Sequence, residues 1–208
     1  MALTELSMVL WFIFFGFSVI FGIIITRKAF TPDFERSQRD YYLGMAIFIM
    51  VHLIARILYF FYDFIYIEDE FFWDLGAIVG IGGIIFLLFA IERYIFTRSK
   101  FFFTILAIIN VILLIVIPSE YKNIVQTIFI PVIGLFIPII YFYIAYKGTG
   151  NIRKNSLLIA IGILIFLAGQ TAHGRTFFEI TDPIYLIASP LLMLLGGIIF
   201  FYGLVRSS

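Results

Sequence analysis

Residues Tyr41–Ile65 read YYLGMAIFIMVHLIARILYFFYDFI, an apolar run that nevertheless carries His52, Arg56, Tyr59 and Asp63. At 100° per residue these four positions fall within an arc of roughly 60°, so a helix over this run has one polar stripe on a hydrocarbon-like surface. An arginine at the centre of a bilayer costs about 2.5 to 3.5 kcal/mol on insertion scales, so the stripe is expected to turn away from lipid. The remaining helices are read by what they offer it.

The whole chain supports a membrane setting. Of its 208 residues 63% are hydrophobic and 13% charged, whereas soluble domains carry about 25% charged residues. Six further apolar runs reach or approach the length of a span, which together gives 7–26, 41–65, 71–96, 101–117, 124–146, 157–173 and 184–205. The expectation is an all-α integral membrane protein: a single domain over 1–208, built as a seven-transmembrane-helix bundle. The first run follows Met-Ala-Leu-Thr-Glu-Leu, which has no basic residue, and it is longer than the apolar core of a signal peptide. It reads as a spanning helix, not a leader.

Orientation follows from the basic residues. Arg27, Lys28, Arg36, Arg39, Arg93, Arg98, Lys100, Lys147, Arg153, Lys154 and Arg206 all fall on one side of the seven runs, against Lys122 and Arg175 on the other. The positive-inside rule then places the amino terminus outside and the carboxyl terminus in the cytoplasm, as a multi-pass protein of the cell membrane. In that frame Trp11 sits at the outer interface and helix one forms a lipid-facing wall. The stripe opens outwards.

Several chemistries are excluded. With no cysteine and two histidines, His52 and His173, no cysteine metal site, thiolate nucleophile or multi-histidine haem can be assembled. No metal or cofactor is expected. Serine–histidine, Gly-x-Gly-Asp, Glu-Glu-x-x-x-Arg and His-Glu-x-x-His patterns are missing, so no enzyme is expected. A net charge of +1 spread over short loops gives no reason to expect nucleic acid.

Polar groups instead suggest a ligand site. Asp74 on helix three is level with Asp63, so either carboxylate could pair with Arg56. Gly76, Gly80 and Gly83 share a face that allows close helix approach. Gln170 and His173 share a face near the end of helix six. The candidate ligand-binding residues are therefore His52, Arg56, Tyr59, Asp63, Asp74, Gln170 and His173, lining an outward polar cavity between helices two, three, six and seven. Arg56 would take an anionic or carbonyl group through its planar fork, and the histidines could lend sensitivity to pH.

A shift of 114 positions aligns helices two and three with six and seven without a gap. Gly82-Gly83-Ile84-Ile85-Phe86 then meets Gly196-Gly197-Ile198-Ile199-Phe200, and Arg56 falls opposite Gln170. A 3+1+3 parallel repeat would follow, similar to that of the SWEET sugar carriers.

Glu92-Arg93-Tyr94 resembles the acidic-Arg-Tyr motif of rhodopsin-like receptors, which makes Glu92 and Arg93 candidate signalling residues at the cytoplasmic end. The other receptor motifs are missing, and the plainer reading is an interfacial charged pair. Helix seven has no lysine for a retinal Schiff base. Ile139 to Arg153, with its tyrosines and Lys147-Gly148-Thr149-Gly150, together with Ile91 to Thr104, resembles a pattern in uncharacterised archaeal seven-helix membrane proteins and in the membrane input modules of sensor kinases. That resemblance implies a sensory or receptor-like role, with a cytoplasmic signalling protein as partner. The functional expectation is a receptor or sensor for a small or lipidic ligand. The alternatives are a small-solute transporter and a structural subunit of a membrane complex.

Overall fold

The computed structural model describes residues 3–32, 34–67, 69–173 and 184–206. These form seven α-helices: α1 (Leu3–Ala29), α2 (Arg36–Phe64), α3 (Glu70–Tyr94), α4 (Phe102–Val116), α5 (Ser119–Lys147), α6 (Gly150–His173) and α7 (Ile184–Val205), with a single 3₁₀ turn at Thr97–Ser99. Six are long and apolar enough to cross a membrane; α4 is the exception. At 1.5 Å per residue, the fifteen residues of α4 extend about 22 Å, against a hydrocarbon core of about 30 Å. Four helices, α1, α2, α5 and α6, extend beyond their apolar runs, because polar residues can complete helical turns outside hydrocarbon. Thus α2 begins at Arg36 and α6 at Gly150.

The outward faces are apolar. Phe12, Ile20, Ile115, Ile139 and Leu195 are all exposed, a surface that water would penalise and acyl chains would not. The chain is a multi-pass membrane protein.

It divides into two compact units, one comprising Ser18–Phe129 and the other Met1–Phe17 with Ile130–Ser208. In the first, α2 and α3 form an antiparallel hairpin whose closeness is set by glycine. A Cβ at Gly76 would lie 3.1 Å from the Tyr59 ring, one at Gly80 would lie 3.5 Å from Ala55 Cβ, and one at Gly44 would lie 2.6 Å from Ala90 Cβ. The expected small-residue face of α3 is thus the one that packs on α2.

In the second unit α6 and α7 approach even more tightly. A Cβ at Gly162 would lie 2.8 Å from the Gly196 carbonyl oxygen, and one at Gly203 would lie 2.9 Å from that of Asn155. Ser189 Oγ donates across the hairpin to the Gly169 carbonyl at 2.8 Å. Trp11 is 1% exposed and meets Phe14, Phe15 and His173 edge-on or tilted. Its indole supplies contact area between α1 and the end of α6.

Candidate functional site

The stripe on α2 is real, and it points inward. His52 and Arg56 are buried, at 4% and 2% exposure, while Tyr59 and Asp63 are intermediate. One helical turn separates each from the next, so their side chains form a ladder along the helix. Arg56 Nε donates to His52 Nε2 at 3.1 Å. The acceptor nitrogen carries no proton in that bond, which fixes His52 as the neutral tautomer with its hydrogen on Nδ1. The guanidinium lies 5.0 Å from the centroid of the Tyr59 ring, and a cation above a desolvated ring gains about 2 kcal/mol. Tyr59 in turn packs edge-on against Trp73 of α3 at 4.9 Å, and Tyr62 does the same at 5.2 Å.

No carboxylate lies within 4 Å of Arg56 among the described residues. Asp63 lies two turns further along the same face and does not bridge to it. Asp74, the other expected partner, is bound elsewhere: its Oδ2 accepts from Lys122 Nζ, which joins the start of α3 to the start of α5. The reason is reach. Lys122 sits in the first turns of α5 beside Asp74, whereas Arg56 is buried about two turns below the end of α2 and already lies against His52 and Tyr59.

This pair gives a direct prediction. Both side chains are largely shielded, at 17% and 26% exposure, so a double-mutant cycle of Asp74→Asn and Lys122→Gln is expected to give a coupling near the top of the range for surface pairs, about 1 kcal/mol. Thermal unfolding in detergent measures it, and additive single substitutions would refute the pairing.

Gln170 and His173 belong to the other unit. Gln170 is of intermediate exposure, and the His173 ring meets Trp11 edge-on at 5.5 Å. The linker with Arg175 lies outside the described residues.

Glu92 is not an interfacial charge. It is 1% exposed, and it accepts from the backbone N–H groups of Phe103 and Thr104 at 3.1 and 2.8 Å and from Thr104 Oγ1 at 2.5 Å. These are first-turn donors of α4, which no residue of their own helix can satisfy. Local capping is absent there because Lys100 and Phe101 take left-handed backbone conformations, at φ 50° and 63°, and Phe101 has no side-chain acceptor. Glu92 therefore caps α4 from α3, where its charge also complements the helix dipole. Arg93 is exposed and stacks on Phe89 and Tyr94, while Tyr94 Oη donates to Asp40 Oδ2 at 2.6 Å. The motif read from sequence as a signalling element thus ties α2, α3 and α4 together.

Some residues of this region were not singled out from sequence. Lys122 could have been found as one of the two cations, with Arg175, that the sequence puts on the side of the acidic helix ends. Trp73 and Thr104 carry no sequence signal for what they do, since an aromatic or a threonine near a helix end is ordinary. Asn110 of α4 is fully buried with neither amide atom hydrogen-bonded among the described residues. No three His, Asp or Glu residues gather in a metal-binding group among the described residues.

No protein-family model matches the chain, and neither a curated protein nor a solved structure matches it.

Proposed function

We propose that the protein is a membrane receptor or sensor that holds the anionic or carbonyl group of a small or lipidic ligand at Arg56. The observation that carries this reading is a guanidinium 2% exposed that donates to a neutral imidazole and has no carboxylate within 4 Å among the described residues. Buried charges in proteins are ordinarily paired, because the desolvation of each ion costs several kcal/mol. A fork-shaped cation without a bridge suits a carboxylate or phosphate arriving from outside. Tyr59, Tyr62 and Trp73 supply an apolar wall, and His52 fixes the orientation of the fork. The reading keeps the amino terminus external and α4 as a seventh crossing, as the distribution of basic residues favours. It also keeps a cytoplasmic protein as the recipient of the signal.

Replacing Arg56 separates function from stability. Arg56→Met is expected to leave the ligand-free protein as stable as wild type or more so, because an unbridged buried cation gives way to an apolar chain of similar length. Saturable stabilisation by an anionic ligand is expected to vanish with it. A hundredfold excess over Kd adds about 2.7 kcal/mol to the wild type, so a thermal-shift titration with octanoate and dioctanoyl phosphatidate resolves it. The ligand reading fails if neither probe stabilises the wild type, or if Arg56→Met responds as the wild type does.

A second reading, a small-solute carrier with a 3+1+3 repeat, draws support from hairpin register. Ala55 opposes Gly80 and Gly44 opposes Ala90 in α2–α3, while Gly169 opposes Met193 and Ile159 opposes Gly203 in α6–α7. Moving the first pairs by 114 positions brings them within one residue of the second. Uptake of a labelled solute by proteoliposomes, abolished by Arg56→Met, would favour the carrier over the receptor.

A further inference from the structure

One end of the α5–α6–α7 unit collects positive charge without compensation. Lys147 ends α5, and the chain turns through Gly148 and Thr149 into α6. Gly150 makes the turn with φ +57°, so that Arg153 and Lys154 follow in the opening turns of α6. Asn155 Nδ2 donates to the Arg206 carbonyl at 2.8 Å, which fastens the end of α7 beside them. Lys147, Arg153, Lys154 and Arg206 are all exposed, and none forms an ion pair among the described residues.

Carboxylates are scarce in this part of the molecule. The sequence has no Asp or Glu from Ile130 to His173 or from Ile184 to Arg206. Glu5 of α1 lies toward the opposite end of α6, since Trp11, two turns further along α1, packs on His173. The basic end of the other unit differs, because there Asp40 lies 3.8 and 3.9 Å from Arg36 and Arg39.

The cations are also held in a particular way. Arg206 folds back over the Tyr202 ring, 4.3 Å from its centroid, and Lys147 lies 5.6 Å from that of Tyr146. Tyr146 is 82% exposed, and Ile152, between the basic groups, is 63% exposed. Tyrosines with cations above them and an exposed isoleucine, at the ends of three membrane-crossing helices, occupy the depth where headgroups give way to acyl chains.

We infer that this end of α5, α6 and α7 is a binding surface for acidic phospholipid headgroups, whose phosphates bridge Lys147, Arg153, Lys154 and Arg206 while Ile152 enters the acyl region. A soluble acidic protein would match the charge but leave Ile152 and the tyrosine rings without a partner. The inference is independent of any ligand at Arg56.

Full-length protein in dodecylmaltoside, mixed with dioleoylphosphatidylglycerol or dioleoylphosphatidylcholine, tests it by native mass spectrometry. Preferential retention of phosphatidylglycerol is expected, weakening about fivefold for each cation removed by Lys147→Gln, Arg153→Gln, Lys154→Gln or Arg206→Gln and far less for Arg36→Gln. In the wild type, retention is expected to fall steeply on raising sodium chloride to 0.5 M, a measurement that needs no variant to fold. Equal retention of phosphatidylcholine, indifference to salt, or undiminished retention by the combined four-residue variant would overturn the proposal. So would displacement of the lipid by millimolar inorganic phosphate, which would mark a phosphate site, or by a polyglutamate peptide, which would mark a protein-docking surface.

Discussion

Gly162→Leu is expected to cost about 3 kcal/mol or more and to lower the yield of folded protein sharply. Overpacked interiors ordinarily lose 1 to 3 kcal/mol because side chains can shift into neighbouring space. At Gly162 the obstructing atoms are backbone. A Cβ there would sit 2.7 Å from Phe200 Cα and 2.8 Å from the Gly196 carbonyl oxygen, and neither can rotate away. The only relief is separation of α6 from α7, which would also break the hydrogen bond from Ser189 to Gly169. Gly82→Leu is the control. A Cβ at Gly82 meets nothing within 4 Å, and a helix propensity gain of about 1 kcal/mol makes that substitution neutral or mildly stabilising. Thermal inactivation in detergent compares the two directly. Equal melting temperatures would show that the α6–α7 interface is looser than the glycines require.

Removing the Glu92 carboxylate is expected to have the next largest effect. Glu92→Ala leaves two backbone donors and a hydroxyl of α4 without an acceptor in a buried position. Charge-assisted hydrogen bonds contribute about 1.5 to 3 kcal/mol each, and a lost helix cap costs about 0.5 to 2 kcal/mol. A combined loss of about 3 kcal/mol follows, because the three bonds share one carboxylate and do not add. Glu92→Gln keeps an acceptor oxygen and gives up the charge facing the helix dipole, for about 1 kcal/mol. Hydrogen exchange locates the change: the amides of Phe103 and Thr104 are expected to lose protection while that of Ile163, in the other unit, keeps its own. Uniform loss across the chain, or none at α4, would contradict the capping role.

The two effects differ in how visible their causes are in the chain itself. Glycines recurring along one face of α3 announced a close helix contact, and Gly76, Gly80 and Gly83 make it. Glu92 announced nothing of the kind. Next to Arg93 and Tyr94 it reads as a surface charge, and its true partners are eleven and twelve residues away across a turn with left-handed backbone. Asp74 was legible as a paired carboxylate but not with its partner named, since Arg56 and Lys122 are equally cationic in a string of letters.

The sequence alone determined the solvent and the secondary structure. Hydrocarbon forbids unsatisfied backbone, so long apolar runs have to be helices, and the 100° period then puts His52, Arg56, Tyr59 and Asp63 on one line whatever they touch. Tertiary structure decided the partners. Distances between helices depend on which backbones can approach, and side-chain pairing depends on which charged tip reaches which at that distance. Pairing Lys122 with Asp74, turning Glu92 onto α4 and leaving Arg56 against His52 and Tyr59 are outcomes of packing geometry, which no periodicity encodes.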